Sequence, residues 1–127
     1  MMGLTYANIK LSNPKRPHLK EMEVKALVDT GAMFTCVPEH VVIQLELEKL
    51  ENREVTTADG KKHIVPYVGP LKIEFDNRSC YAGALVIGNE VLLGAIQMED
   101  MDLIVHPLKN KLMVNPESPN IPSGILK

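Results

Sequence analysis

Ala26-Leu27-Val28-Asp29-Thr30-Gly31-Ala32, running on through Met33-Phe34-Thr35-Cys36-Val37-Pro38, is the stretch around which the chain is organised. Small and apolar residues lead into one carboxylate, then a hydroxyl, then a glycine, and apolar residues resume almost at once. An ionisable side chain set between buried strands is costly unless it is hydrogen-bonded, paired or used. Thr30 can lock the loop through its hydroxyl. Gly31 lets the backbone turn tightly and leaves a substrate room beside it. The pattern is that of a site carried at the end of a buried strand.

Upstream, Leu4 to Leu11 alternates, with Ala7, Ile9 and Leu11 on one face and Tyr6, Asn8 and Lys10 on the other, which predicts a half-buried strand. Ser12 to Pro17 is a turn by composition. A second strand, with Met22, Val24, Ala26 and Val28 inward and Glu21, Glu23 and Lys25 outward, delivers Asp29 at its end. Downstream, Thr35 to Val37 reads as a short strand. Pro38 then suits the first turn of a helix, with Glu39 near its positive end and Val41, Val42, Leu45 and Leu47 as its apolar face. Glu54 to Thr57 and His63 to Val68 read as strands joined across Ala58-Asp59-Gly60-Lys61-Lys62, because an Asp-Gly pair between β-type runs is a hairpin signal.

Gly69-Pro70 reads as a break, and Leu71, Ile73 and Phe75 alternate with Lys72 and Glu74 beyond it. Asp76 to Ser79 is a predicted turn, and Cys80 to Ile87 a central strand. Val91 to Gly94 leads into a short helix over Ala95 to Met101, with Ile96 and Met98 on its apolar side. Leu103 to Val105 and Leu112 to Val114 make a last hairpin. Pro116, Pro119 and Pro122 mark residues 116–127 as a tail, either loose or an arm laid on a partner. Short strands with two small helices predict an all-β, closed or sandwich-like domain over residues 1–115.

Composition narrows the function. The 127 residues fit one domain, and 45% hydrophobic content supports a core that must be Val, Ile, Leu and Met, since only 4% of residues are aromatic. The formal net charge is −2 with both signs intermixed, so no basic stripe points to nucleic acid. Cys36 and Cys80 have no metal-ligand or redox spacing, and His18, His40, His63 and His106 form no zinc-type pair. Phosphate-loop and Gly-x-Ser-x-Gly patterns are missing too, so neither metal nor cofactor is expected. Met1-Met2-Gly3-Leu4-Thr5-Tyr6 lacks a basic region followed by an apolar core, and no apolar run approaches the ~20 residues that span a bilayer. A cytoplasmic protein with no membrane partner is the expectation.

With Asp29-Thr30-Gly31-Ala32 behind an apolar strand, a hairpin at Asp59-Gly60, and Leu92-Leu93-Gly94-Ala95 before a short helix, the chain resembles the retropepsin-like aspartic proteases, small prokaryotic relatives of the retroviral enzymes included. The likeness runs from about Leu4 to Val114. It implies a closed β-barrel with a flap hairpin and one or two short helices. It implies Asp29 as the catalytic aspartate, Thr30 as the hydroxyl gripping the neighbouring subunit's loop, and Gly31 as the residue lining the cleft beside the substrate backbone. Leu92 and Gly94 map onto the segment that threads behind the catalytic loop, where a glycine lets two backbones approach. Ala32, Met33, Leu93 and the hairpin tip, Ala58, Asp59 and Gly60, are the implied substrate contacts. Met33 and Ala95 replace the acidic residue and the arginine that the retroviral enzymes usually carry, so the ion pair those would form is missing.

Peptide hydrolysis by this route activates a water between two carboxylates, one ionised to take its proton and one protonated to polarise the carbonyl. Two carboxylates about 3 Å apart cannot both ionise and share one proton. Asp59, Asp76, Asp100 and Asp102 lie in turn-like or polar contexts, so the second acid must be Asp29 of another copy, and a two-fold homodimer acting on a peptide or protein substrate follows. Leu4 to Leu11 and Ile121 to Leu126 are the segments that could interleave at its base. Two other readings stay open: a retropepsin-fold module that binds peptide or dimerises with weak or no catalysis, and a scaffold barrel carrying the motif by chance.

Overall fold

A computed structural model describes residues 4–126. Lys127 and Met1-Met2-Gly3, on which the signal-peptide expectation partly rests, lie outside the described residues. The strands are β1 (Thr5–Ser12), β2 (Met22–Asp29), β3 (Cys36–Val37), β4 (Glu48–Thr56), β5 (Lys62–Phe75), β6 (Arg78–Val86), β7 (Leu92–Gly94), β8 (Leu103–His106) and β9 (Lys111–Val114). Two one-and-a-half-turn helices interrupt them, α1 (Glu39–Gln44) and α2 (Ala95–Asp100).

Alternation builds the barrel. In β1, Thr5, Ala7, Ile9 and Leu11 are buried while Tyr6, Asn8 and Lys10 face solvent. β2 pairs with it antiparallel, Thr5 opposite Val28 and Ala7 opposite Ala26, so the small side chains meet inside. The hydrogen-bonded order is β1-β2-β7-β3-β6-β5-β4, and β5 pairs back onto β1 through Leu11 and Ile73. Six strands thus close into a barrel, and β4 hangs outside on β5. Closure leaves no free edge in the ring, which is how a small all-β core avoids unpaired backbone. Its interior holds Ile9, Leu11, Val37, Val41, Leu45, Val68, Leu71, Ile73, Leu93 and Met101, each at 2% exposure or less. Burying each such side chain is worth about 1.5–3 kcal/mol before conformational entropy is charged against it.

Several elements differ from the sequence reading. Gly69-Pro70 does not break the chain: β5 runs on through a cis Gly69-Pro70 bond, and the register against β6 shifts between Val68 and Leu71. A proline offers no ladder donor, and an irregular step in the ladder is where it can sit. The turn before β6 shrinks to Asp76-Asn77, with Asp76 left-handed at φ 49°. Arg78 therefore opens a strand and is only 2% exposed. On α2 the buried residues are Gln97 and Met98, whereas Ile96 is exposed.

The C-terminal segment is folded back on its own chain. Arg78 Nη2 donates to the Ser118 carbonyl, and Asn77 Nδ2 donates to Pro119 O at 2.9 Å. Asp102, left-handed at φ 54°, gathers three donors: Ser118 Oγ and Ser123 N (2.9 Å) on Oδ2, and Asn115 Nδ2 (3.1 Å) on Oδ1. The Ser118 hydroxyl above all, then the Ser123 N–H, the Asn115 amide and the Arg78 charge hold this carboxyl below the usual carboxylate range. A depressed folded-state value means stability that is present above the ordinary carboxylate pKa and lost as pH falls through the depressed one. Acidification below about pH 4 is therefore expected to release residues 115–123, read as faster backbone amide exchange there. Asp102→Asn, which tolerates the left-handed backbone, should remove that pH dependence; a segment equally protected at pH 2 and pH 7 would contradict the clamp.

Candidate active site

β2 carries Asp29 to the rim of the barrel, and the loop that follows turns the chain back toward β3. Gly31 N donates to Asp29 Oδ1 at 2.9 Å, and Ala32 N to Asp29 O at 3.2 Å. The carboxylate is thereby oriented by its own loop. A Cβ built on Gly31 would lie 3.2 Å from Asp29 Oδ1, so this glycine keeps the space beside the acid open. Asp29 is half-buried, while Thr30 and Gly31 are exposed.

β7 threads behind this loop. It pairs parallel with β2, Leu27 opposite Leu92, Val28 opposite Leu93 and Asp29 opposite Gly94. The start of α2 is stitched to the loop by Ala95 N donating to Ala32 O (2.7 Å) and Ile96 N to Met33 O (3.2 Å). At Gly94 a Cβ would fall 2.5 Å from Phe34 C and 2.7 Å from Phe34 O, so no other residue fits without moving backbone. Beneath lies a buried polar knot that the sequence reading missed. Gln97 Oε1 accepts from Thr35 N (3.1 Å) and from Thr35 Oγ1 (2.8 Å), and Thr35 Oγ1 accepts from Gly94 N (3.2 Å). The available signal was the polar pair Thr35 and Gln97 inside otherwise apolar segments.

Two cavities flank the loop. One, of about 440 Å³ and mostly apolar, lies between Leu27, Ala32, Cys36, Leu85 and Leu92 and the outer hairpin residues Val55 to Ala58. The other, of about 460 Å³, joins Asp29 and Thr30 to Leu4, Thr5, Val105, His106, Pro107 and Asn110. Of the expected substrate contacts, Ala32 and Ala58 line the first cavity. Leu92 and Leu93 exchange the positions expected of them: Leu92 faces the cavity, and Leu93 is fully buried in the core, away from it. Met33 projects outward at 64% exposure and lines neither cavity.

Asp59 and Gly60 sit at the hairpin tip, beyond the cavity wall. There Asp59 Oδ1 accepts from Thr57 Oγ1 (2.5 Å) and Lys61 N (3.0 Å), bonds that lower its pKa, and Gly60 takes φ 83°. The Cys36 thiol is pushed up by its burial first and then by the Asp29 charge, which makes it a cavity wall and a poor nucleophile. Among the described residues no cluster of three or more His, Cys, Asp or Glu could hold a metal ion, and no helix is long and apolar enough to cross a membrane.

A six-strand barrel with an outer hairpin and an acid loop braced by a glycine-bearing strand defines a retropepsin-type fold. A family model described as "gag-polyprotein putative aspartyl protease" matches residues 18–95, more than half of the chain, and the protein belongs to this retropepsin-like aspartyl protease family. Among solved structures, the chain is similar to EIAV protease complexed with the inhibitor HBY-793. That match has 15% identity and a TM-score of 0.58 and covers 79% of this chain and 89% of the other, a likeness of fold. No curated protein matches the chain.

Proposed function

We propose that the protein is an aspartic endopeptidase that works as a homodimer in the cytoplasm, with residues 1–115 as the protease domain and 116–127 as an appended segment. The observation that carries this reading is Asp29 at the end of β2, its Oδ1 held by the Gly31 N–H, in a stretch whose Leu27 and Ala32 line an apolar cavity roofed by a hairpin while Asp29 itself lines the second cavity. The roof, Val55 to Ala58, acts as the flap: an extended peptide pairs its backbone with it and sets apolar side chains against Leu27, Ala32, Leu85 and Leu92. The water is activated between Asp29 and the Asp29 of the second copy, one acid ionised and one protonated.

The dimer face is the one that carries Asp29 and Thr30. On that face the second cavity brings in the β8–β9 hairpin, a two-stranded sheet whose outer edges have no third strand among the described residues. In the tail, Asn115 to Ser123 is engaged with its own Asp102, Asn77 and Arg78, while the side chains of Ile121, Ile125 and Leu126 stay exposed and can add to the same assembly.

A diverse peptide library incubated with the purified protein from acid to neutral pH tests the reading. Cleavage with a bell-shaped pH–rate profile, and activity per molecule that falls on dilution below the dimer's dissociation constant, are expected. Binding without cleavage at every pH would favour a peptide-binding module on the same fold. A fully active monomer would end the shared-acid model.

A further inference from the structure

Glu51, Arg53 and Val55 alternate onto one face of β4, opposite Tyr67, Val65 and His63 of β5, and Val55 lines the apolar cavity. On this face Arg53 is stacked. Its guanidinium carbon lies 3.8 Å from the centroid of the Tyr67 ring, and its Nε donates to Glu51 Oε2 at 2.8 Å. The hydroxyl end of Tyr67 in turn covers Gly83 of β6, where a Cβ would fall 2.1 Å from Tyr67 Cζ. The same guanidinium reaches the Phe34 ring, at 5.5 Å from its centroid. Phe34 belongs to the segment that continues from the Asp29 loop, and its carbonyl bears directly on Gly94.

The position of this stack gives it a purpose. The β4–β5 register shifts between Lys49 and Glu51, and the β5–β6 register between Val68 and Leu71, both at the root of the projecting hairpin. A bulge leaves a residue unpaired, interrupts the ladder and bends its strand, so ladder bonds alone hold the hairpin less firmly at this root. Arg53 stands just past the first shift, and its planar cation ties the hairpin to barrel strand and acid loop at once. A guanidinium suits this role because it stacks on aromatic faces while keeping its edge for a carboxylate, here that of Glu51.

We propose that Arg53 is a positioning residue that latches the hairpin to the Asp29 loop through Phe34 and so sets how far the cleft opens; the kinetic consequence rests on the proteolytic reading above, the mechanical one does not. The latch is tested on the whole protein with Arg53→Ala, Arg53→Lys, Phe34→Leu and the stack-retaining Tyr67→Phe. Backbone amides of residues 54–64 are expected to exchange about five- to tenfold faster in the first three variants, with β1 and β2 amides unchanged, and Tyr67→Phe should behave as wild type. On a cleaved peptide, KM should rise about three- to tenfold with kcat within about twofold, since the latch acts on binding geometry and touches no reacting atom. Unchanged hairpin exchange in Arg53→Ala overturns the proposal, as does acceleration spread evenly over the barrel, or an Arg53→Lys variant indistinguishable from wild type. Should the wild type cleave no peptide, the protease reading fails while the exchange experiment still decides the latch.

Discussion

Asp29→Asn is expected to abolish peptide cleavage, by at least about a thousandfold in kcat, while leaving the melting temperature within about two degrees of wild type. The two halves of this expectation have separate physical grounds. In the fold, the Asp29 side chain accepts a hydrogen bond from Gly31 N through Oδ1. An asparagine carbonyl accepts the same bond, so the loop keeps its shape. In the chemistry, an amide can neither take a proton from water nor give one to a leaving amine, and the loss falls on the reacting step.

The variant also tests where the second acid comes from. If each site is built from two copies, mixing equal amounts of wild type and Asp29→Asn under exchanging conditions leaves only about a quarter of the dimers with two aspartates. Activity should then fall to about that fraction as subunits exchange. A fall to one half would mean that each chain carries its own complete site.

How much of this could be read in advance depends on the range over which each feature is decided. β1 and β2 were legible because Ala7, Ile9 and Leu11 against Tyr6, Asn8 and Lys10 form a long enough alternation to choose a face. The turn at Asp29 was legible for a different reason: a glycine two residues after the acid, directly behind a buried strand, lets the chain turn tightly there, and the Gly31 N–H bond to Asp29 Oδ1 closes that turn. β7 has three residues, and both Leu92 and Leu93 are apolar, so alternation could not say which faces the cavity; the pairing with Leu27 and Val28 decides it. Gln97 was missed because its partner, Thr35, lies 62 residues away along the chain, so that each polar residue stands out within its own apolar segment but nothing pairs the two. Arg78 looked like a turn residue for the same reason. Its Nη2 is met by the Ser118 carbonyl, brought over it by a proline-rich segment whose composition suggested a loose tail or an arm laid on a partner.

Gly94→Ala is expected to be strongly destabilising, because among the described glycines it is the one whose added carbon would run into main-chain atoms at under 3 Å. The glycine has ordinary extended backbone, φ −88° and ψ 167°, so conformational freedom is not what it supplies. Space is. The added carbon would sit 2.5 Å from Phe34 C, 2.7 Å from Phe34 O and 2.8 Å from Met33 O, and all three are main-chain atoms that no rotamer change can move aside. Relief requires β7 to part from the segment after Asp29. That parting stretches the Ala95–Ala32 and Ile96–Met33 bonds and pulls Gly94 N from Thr35 Oγ1, which is tied to Gln97. Overpacking of this kind costs about 3 kcal/mol or more, which for a domain of this size is about 10–15 °C in melting temperature. Gly124→Ala serves as the control, because a Cβ there meets nothing within 4 Å and the glycine has no left-handed backbone. Activity should fall with Gly94→Ala even at temperatures where the protein remains folded, since the displaced strand is the one that pairs with Asp29. A Gly94→Ala protein that melts within two degrees of wild type would mean that the two backbones are not in contact and that the bracing of the acid loop comes from elsewhere.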